Sequence, residues 1–313
     1  MSNNELKIEQ LETPFQLRDY QLIGVNFLYK NNNILLADEM GLGKTVQVAV
    51  TLNELCKSWP AFRSLIVVPS SLKTNWYNEL HLWGKELVVR KTTGGKGNRN
   101  LLINLPVNAT IVSYEDIRMQ YKDEGVSFQS RYDLIVFDEA QRLKNISSST
   151  YTACKSINAD RIWALTGTPI ENARTDLVSI MDVVEFGLIG EHLPRTSMHE
   201  AMRNHFLRRK KEEVLTEMPP IIAQEINLEM LPGQRQSYND VLFTKSQEVE
   251  FGMDTGNLFS IVNSLKQICN YDTETDESIK LDTLDILLND SIESNQKVII
   301  FSQYVETLER IAD

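Results

Sequence analysis

Three features of the sequence predict an α/β fold in which helices cover both faces of a parallel sheet. Five short runs of Ile, Leu and Val lack polar alternation, which is typical of strands buried on both faces. Helical patterns lie between these runs, and strand–helix–strand order at this spacing favours parallel, doubly wound pairing. The composition, with 42% hydrophobic and 24% charged residues, is ordinary for a globular protein.

The predicted strands lie in the first two-thirds of the 313 residues. They are NILLAD (33–38), SLIVVP (64–69), ATIVSY (109–114), DLIVFD (133–138) and RIWALT (161–166). Helical segments between them include residues 44–57 and 71–83. Because parallel sheets bind ligands at the carboxyl ends of their strands, the polar residues that follow each run are candidate site residues.

The pattern becomes mostly helical after about Asp176. The predicted elements there are a charged helix, an alternating strand, two further helices and a buried strand, at residues 198–220, 221–230, 233–250, 258–269 and 296–304. Pro219 and Pro220 would end the charged helix. The chain is long enough for two domains, each with its own core.

The formal net charge of −11 argues against binding of nucleic acid through the overall field, because proteins that bind in that way are usually basic. Any such contact would depend on a local groove. No apolar stretch approaches the roughly 20 residues needed to cross a bilayer, and the polar amino terminus does not resemble a secretory signal. We therefore expect no membrane partner and a cytoplasmic or nuclear protein. The sequence DEAQ (138–141) favours a bacterial or viral source, and hence the cytoplasm; in a eukaryote the protein would be nuclear.

The spacing of cysteine and histidine predicts neither a disulfide framework nor a zinc site. We expect the three widely separated cysteines to be small buried residues in a reducing compartment: Cys56, Cys154 and Cys269. Histidines gather loosely at positions 192, 199 and 205. Because His199 and His205 would lie on different helical faces, we expect no zinc.

The stretch LLADEMGLGKT (35–45) predicts a nucleotide-phosphate loop after the first strand. The common pattern is GxxxxGK[ST], and Asp38 stands at its first glycine position. The later glycines still allow positive φ, so that successive amides can point at phosphates beside a helix N-terminus. Lys44 would neutralise β/γ-phosphate charge, and the Thr45 hydroxyl would bind Mg²⁺. The nucleotide-binding candidates in the loop are Asp38, Glu39, Met40, Gly41, Leu42, Gly43, Lys44 and Thr45.

The stretch LIVFDEAQ (134–141) places two acids at the carboxyl end of another predicted strand. Adjacent buried carboxylates make sense when a cation is near. Asp138 would hold Mg²⁺, and Glu139 would orient and deprotonate the attacking water. Each stretch alone has an alternative, a simple glycine turn or acids facing solvent. Together in a βαβ context they predict an ATP site.

Longer segments resemble the Swi/Snf-type family of helicase-like, double-stranded-DNA-stimulated ATPases in helicase superfamily two. The segments that carry the resemblance are LRDYQ (17–21), ADEMGLGKT (37–45), LIVVPSSLKTNW (65–76), LIVFDEAQRLKN (134–145), LTGTPIEN (165–172), FLRRKKEEVLTEMPP (206–220), SLKQICN (264–270) and KVIIFSQY (297–304). The resemblance implies a RecA-like first helicase lobe at residues 1–205. A basic linker and helical segment would follow at 206–295, and the start of a second RecA-like lobe at 296–313.

The resemblance also implies roles for residues outside the phosphate loop. Gln21, with Arg18 nearby, would read the adenine. Thr166 and Thr168 would couple the nucleotide state to a DNA groove, and Gln141 would sense the γ-phosphate. The implied catalytic set is Lys44, Asp138, Glu139 and Gln141.

Contacts with the phosphates of duplex DNA are implied at other strand ends and in one basic run. The candidates are Ser70, Ser71, Lys73, Ser113, Arg208 and Arg209. Hydroxyls and a few basic side chains on phosphate oxygens allow a protein to track DNA without sequence readout. The alternatives are polar loop groups facing water and, for the basic run at 208–211, a solvated helix face. Arg208 and Arg209 could also have a packing role.

No segment of the 313 residues matches the family's glycine-rich and arginine-bearing motifs of the second lobe. Since an arginine finger is worth about 10³–10⁵ in rate, we expect this chain to bind Mg·ATP weakly and to hydrolyse it slowly. Our hypothesis is an amino-terminal fragment of a longer motor, with the missing lobe present in cis or supplied by a partner.

The leading functional hypothesis is the ATP-binding lobe of a translocase that moves along double-stranded DNA and remodels protein–DNA complexes. A strand-separating DNA or RNA helicase is the first alternative, and assays of strand displacement and triplex displacement distinguish the two. A nucleotide-gated binding module that needs a partner lobe is the second. Restored ATPase activity on mixing with carboxyl-terminal fragments would identify it.

Overall fold

The computed structural model describes residues 11–95, 105–124, 132–167, 174–217, 222–250 and 255–312, together with Leu6, Ile103 and Pro219. Two compact units make up the chain, Met1–Pro219 and Pro220–Asp313. Across these described ranges, no helix combines the length and the apolar character needed to span a bilayer.

The described part of the first unit contains a seven-stranded sheet in which every neighbouring pair is parallel. The strands are β1 (Asn33–Leu36), β2 (Ser64–Val68), β3 (Val89–Lys91), β4 (Ala109–Ser113), β5 (Tyr132–Asp138), β6 (Ala159–Leu165) and β7 (Phe206–Leu207). Their order across the sheet is β3-β4-β2-β5-β6-β1-β7. All five apolar runs form strands, so the predicted parallel α/β sheet is confirmed.

Helices cover both faces of this sheet. They are α1 (Asp19–Lys30), α2 (Lys44–Ser58), α3 (Lys73–Trp83), α4 (Tyr114–Glu124), α5 (Ser149–Lys155), α6 (Arg174–Val184) and α7 (Arg195–Met202); a short helix, α8 (Lys211–Val214), follows β7. Side chains alternate between two core clusters along β1. Ile34 belongs to the cluster that contains Leu52 of α2, whereas Leu35 belongs to the cluster that contains Ile180 of α6. The absence of polar alternation in the sequence follows from this two-sided burial.

The prediction of one continuous charged helix over 198–220 is wrong, because α7 ends at Met202 and only Lys211–Val214 is helical in the described residues that follow. The chain instead forms β7, which pairs in parallel with β1, and the amide of Leu35 donates to the carbonyl of His205 at 2.7 Å. Pairing satisfies backbone groups that the edge of β1 would otherwise leave unbonded, and this overrides the helical pattern. The compact unit that contains β7 ends at Pro219, and the lobe boundary at 205 stays a prediction.

The described part of the second unit is helical. Its helices are α9 (Pro232–Glu250), α10 (Thr255–Asn270), α11 (Ile279–Glu293) and α12 (Val305–Ala312). The helices predicted at 233–250 and 258–269 are thereby confirmed.

The strands predicted at 221–230 and 296–304 are wrong, because the described residues there form no strand. The side chains of Ile299 and Phe301 are 78% and 89% exposed. A strand needs a neighbour to satisfy its backbone groups. In the described part of the second unit the only pairing is a single bridge between Asp272 and Glu277, so the apolar pattern has no sheet to join.

Candidate nucleotide-binding site

The carboxyl ends of β1, β6 and β5 lie side by side at one edge of the sheet. Leu36 of β1 is in register with Leu165 of β6, and Leu165 is in register with Asp138 of β5. Neighbouring strands are about 4.8 Å apart. The loops that follow these three residues, which carry most of the candidate nucleotide-binding residues, therefore share one region.

The loop between β1 and α2 has the backbone geometry of a phosphate cradle. Gly41 and Gly43 have φ values of 86° and 74°, which side chains rarely tolerate. A Cβ on Gly43 would also lie 2.5 Å from Nε2 of Gln21. Helix α2 begins at Lys44, so its first amides and its dipole face the end of this loop. Leu42, between the two glycines, has a fully buried side chain, so it can contribute to a site only through its backbone.

Lys44 lies among carboxylates at the start of α2. Its Nζ donates to the carbonyl of Asp38 at 2.8 Å. Burial lowers the pKa of Lys44, while the charges of Asp138, Asp38, Glu139 and Glu39 raise it in part. Thr45 follows on the first turn of α2 and is half-buried.

Asp138, at the end of β5, is only 7% exposed, and burial of a charged carboxylate costs free energy. Its Oδ2 accepts from the indole Nε1 of Trp76 at 2.7 Å, and its Oδ1 accepts from the amide of Glu139 at 3.0 Å. The hydroxyl of Tyr114 donates to its backbone carbonyl at 2.8 Å. Burial raises the pKa of Asp138; the negative charge of Glu139 raises it further, and the Trp76 hydrogen bond and Lys44 oppose the shift.

Glu139, Gln141 and Thr166 form a hydrogen-bonded series between the ends of β5 and β6. Nε2 of Gln141 donates to Oε2 of Glu139 at 2.7 Å, and Oγ1 of Thr166 donates to Oε1 of Gln141 at 2.8 Å. Glu139 has a φ of 51°, a strained conformation that is common at functional sites when the surroundings enforce it. Thr166 is fully buried, so it reaches any ligand through Gln141. Thr168 lies outside the described residues.

The remaining nucleotide candidates lie around the same loop. The amide of Arg18 donates to Oε1 of Gln21 at 3.0 Å, which orients the Gln21 side chain whose nitrogen is beside Gly43. The guanidinium of Arg18 pairs with Glu217 at the surface. Met40 is 54% exposed, and a Cβ on Gly167 would lie 2.6 Å from its Cγ. The loops after β1 and β6 are thus in contact.

The DNA-contact candidates differ in accessibility. Ser70 and Ser71 are exposed just after β2, and Arg208 is exposed just after β7. Ser113 is 2% exposed, and its hydroxyl accepts from the amide of Asp116 at 3.1 Å. Because it is buried in this way, the Ser113 side chain is not accessible to DNA.

Lys73 and Arg209 also have partners within the protein. Nζ of Lys73 donates to Oδ2 of Asp116 at 3.2 Å and to the carbonyl of Thr92 at 2.9 Å. Arg209 is 9% exposed, and its guanidinium pairs with the carboxylate of Asp38. Of the two roles expected for Arg209, its burial corresponds to packing and argues against contact with DNA.

Two features of the site were missed by sequence reasoning. Trp76, on α3, holds Asp138 across 62 positions of the chain, and no local pattern indicates this contact. The pairing of Asp38 with Arg209 was also missed. Its one local sign was an aspartate where the common phosphate-loop pattern has glycine.

The residues present fit a magnesium-bound nucleotide. Four carboxylates act on the single ammonium of Lys44, and Arg209 neutralises one of them, Asp38. The excess negative charge at a buried edge favours a further cation. Hard oxygen ligands from a carboxylate and a hydroxyl suit Mg²⁺, and the left-handed glycines with the start of α2 suit phosphate.

Comparison with known proteins extends the resemblance. A family model of the SNF2-related domain matches residues 20–197, more than half of the chain. An uncharacterised ATP-dependent helicase of Mycoplasma pneumoniae is 30% identical over 322 residues, covering 95% of this chain and 31% of that protein. Human chromodomain-helicase-DNA-binding protein 1 is 29% identical over 347 residues, covering 95% of this chain and 20% of that protein. The chain therefore spans less than a third of the length of these two relatives.

A solved structure shows the same fold. The Sulfolobus solfataricus SWI2/SNF2 ATPase core in complex with double-stranded DNA matches with a TM-score of 0.60 and 24% identity, covering 96% of this chain and 71% of that chain. At this identity the likeness concerns the fold alone, whereas the family model matches the sequence itself, from Tyr20 in α1 to just inside α7. The chain belongs to the SNF2-related domain family.

Proposed function

We propose that this chain binds Mg·ATP at the carboxyl edge of β1, β6 and β5 and hydrolyses it, as the ATP-binding lobe of a DNA-dependent ATPase. The whole protein would translocate on double-stranded DNA and remodel protein–DNA complexes. The observation that carries the proposal is the convergence of Lys44 with Asp138 and Glu139 at strand ends that are fixed by the register of the sheet.

Each side chain has a defined task in this proposal. Backbone amides from Gly41 to Thr45 would bind the phosphates, and the ammonium of Lys44 would exchange the carbonyl of Asp38 for phosphate oxygens. The Thr45 hydroxyl and Asp138 would hold Mg²⁺, whose bound charge offsets that of the phosphates. Gln21, beside Gly43, is the candidate for the adenine.

Glu139 is the candidate general base for the attacking water. Its carboxylate is half-buried and is oriented by Nε2 of Gln141. Gln141 is in turn held by Thr166, so the orientation of the base depends on the loop after β6. A base fixed in this way can accept a proton without first reorganising.

Contacts with duplex DNA are proposed for the accessible candidates, Ser70, Ser71 and Arg208. They are exposed polar or basic groups at strand ends, as expected for backbone contacts that carry no sequence information. The Sulfolobus core, which shares this fold, was solved with double-stranded DNA, and that supports duplex DNA as the partner.

The test measures nucleotide binding and turnover separately. Titration with a fluorescent ATP analogue gives the dissociation constant, and single-turnover hydrolysis with and without linear duplex DNA gives the rate. We expect Lys44→Ala to lose detectable binding, because it removes the phosphate-neutralising charge. We expect Glu139→Gln to bind normally and to turn over at least about 100-fold more slowly, since it lacks the general base.

The matched control is Lys57→Ala at the far end of α2, where Lys57 pairs with Glu54 at 2.9 Å. This variant should bind and hydrolyse like the wild type. If Lys44→Ala and Glu139→Gln both behaved like this control, the proposed site would be wrong.

A further inference from the structure

Arg209 occupies a buried position directly beneath the phosphate loop. Its Nε donates to Oδ1 of Asp38 at 2.9 Å, and its Nη2 donates to the other carboxylate oxygen and to Oε1 of Gln47 at 2.9 Å. Its Nη1 donates to the carbonyl of Tyr20 in α1. Asp38 is fully buried, so the two charges are removed from water together.

The same network reaches the glycine loop itself. Nε2 of Gln47 donates to Oδ2 of Asp38 at 3.2 Å and to the carbonyl of Leu42 at 3.3 Å. Leu42 lies between Gly41 and Gly43, whose left-handed conformations shape the cradle. Arg209 is therefore linked through Gln47 to the middle of the loop and through Asp38 to its start.

Residues that follow Arg209 also contact the loop. The amide of Glu39 donates to the carbonyl of Arg209 at 3.0 Å, and the amide of Lys211 donates to Oε2 of Glu39 at 2.7 Å. A Cβ on Gly41 would lie 3.2 Å from Cε of Lys211. The segment after β7 thus holds the loop through both side-chain and backbone contacts.

We propose that Arg209 is a positioning residue for the phosphate loop, acting through Asp38 and Gln47 to hold the loop in its phosphate-accepting conformation. This inference rests on the proposed function, since it concerns the same site. It gives a reason for the aspartate at the first glycine position of the loop. A carboxylate there forms a bidentate pair with Arg209, which glycine cannot form.

The chemistry of the network favours positioning over simple stabilisation. A buried ion pair contributes little net stability compared with well-packed apolar groups of similar size. The ion pair does fix the orientation of the groups it binds, because the planar guanidinium has donors at fixed angles. Here those donors engage the loop, α1 and α2.

Gly24 of α1 makes room for this arrangement. A Cβ at that position would lie 1.7 Å from Oε1 of Gln47 and 2.9 Å from Nη2 of Arg209. Contacts under 3 Å cannot be accommodated without movement of the network. The absence of a side chain at Gly24 therefore leaves the space that Arg209 and Gln47 occupy.

The test follows loop amides and nucleotide affinity in Arg209→Met, Arg209→Lys and Gln47→Met. Hydrogen exchange of the nucleotide-free chain is measured on the peptide that contains residues 41–43, with peptides from β5 as internal reference. We expect Arg209→Met to speed exchange of the loop peptide at least about tenfold and to weaken binding of the fluorescent ATP analogue by a similar factor, with β5 unchanged. Arg209→Lys should recover only part of this, because an ammonium cannot form the bidentate pair.

Gln47→Met keeps both charged groups, Asp38 and Arg209, while removing the hydrogen bonds of the Gln47 amide to Leu42, Asp38 and Arg209. It should speed exchange of the loop peptide even if Arg209→Met fails to fold. The control is Lys210→Met, an exposed neighbour that pairs with Glu212, and it should match the wild type in both measurements.

Unchanged loop exchange in Gln47→Met together with unchanged affinity in a folded Arg209 variant would overturn the inference. Equal acceleration of exchange in the loop and in β5 would also overturn it, because it would indicate a general structural role. Retained nucleotide binding in Lys44→Ala would instead contradict the proposed function. The exchange measurement on the nucleotide-free chain would still decide the role of Arg209.

Discussion

The charged form of Asp138 is destabilised at the position that its proposed role as a magnesium ligand requires. Its carboxylate is buried at a strand end with Glu139 next to it, and both effects raise its pKa. The hydrogen bond from Trp76 and the charge of Lys44 compensate only in part. An ionised carboxylate kept in this state is prepared for a cation.

The raised pKa predicts how the difference in the free energy of unfolding between the wild type and Asp138→Asn depends on pH. A raised pKa means that the folded chain binds the proton more tightly than the unfolded chain. The stabilising contribution is therefore present at low pH and is lost as pH rises through the folded pKa. Thermal melts from neutral pH down to about pH 4, close to the ordinary carboxyl pKa of about 3.9, should show wild type gaining stability relative to the variant as pH falls. A difference independent of pH, or one of opposite sign, would contradict the shift.

The loops after β5 and β6 act as a connected pair of elements. The connection is the bond from Thr166 to Gln141 and the bond from Gln141 to Glu139. The strand register brings these loops together, since Asp138 lies opposite Leu165. A change that removes either bond of this series should therefore alter the orientation of the candidate base.

Thr166→Val should separate turnover from nucleotide binding. The variant keeps the volume of the side chain but removes the donor, so that Oε1 of Gln141 loses its partner and the free energy of unfolding falls by about 1–2 kcal/mol. We expect the single-turnover rate to fall on the order of tenfold and the dissociation constant of the ATP analogue to stay within about twofold, because no loop amide is disturbed.

The control for this experiment is Thr110→Val in β4, where the threonine is equally buried, at 1% exposed, and lies inside a strand. It should leave turnover unchanged. Equal rates in the Thr166 variant and wild type would show that the bonded series has no part in the chemistry.

At the level of the whole molecule, charge limits how DNA can be bound. A chain with a net charge of −11 gains nothing from its overall field when it approaches a polyanion. Proposed contacts of duplex DNA with Ser70, Ser71 and Arg208 would involve a few phosphates and no base edges. Such binding is weak, sensitive to salt and indifferent to sequence.

Fluorescence anisotropy with two labelled duplexes of unrelated sequence tests this expectation across a range of salt concentrations. Both duplexes should give the same affinity and the same slope of log affinity against log salt. Arg208→Met should weaken both equally and reduce the slope by about 1, the value expected for one lost phosphate contact. Arg203→Met, an exposed arginine just after α7, is the control. A preference for one duplex, or an unchanged slope in the Arg208 variant, would count against backbone contact at this position.

Much of the fold and part of the candidate site could be predicted because they depend on near neighbours in the chain. The central strands are apolar runs, the phosphate loop has two glycines and a lysine before a helix, and the two acids lie at the carboxyl end of a strand. In each case the residues that determine the local conformation adjoin one another, so periodicity and spacing record them. The family also follows from motifs read in order along the chain.

Other features depend on partners that are distant in sequence. Asp38 and Arg209 are 171 positions apart, and β7 forms because the edge of β1 is available to pair with it. At 296–304 the apolar pattern of a strand is present, but the described residues form none there. The physical reason is common to all three, since the free energy of a buried charge or of a strand depends on what lies beside it. Local sequence records what a segment can form, and the contacts brought together by folding determine whether it does.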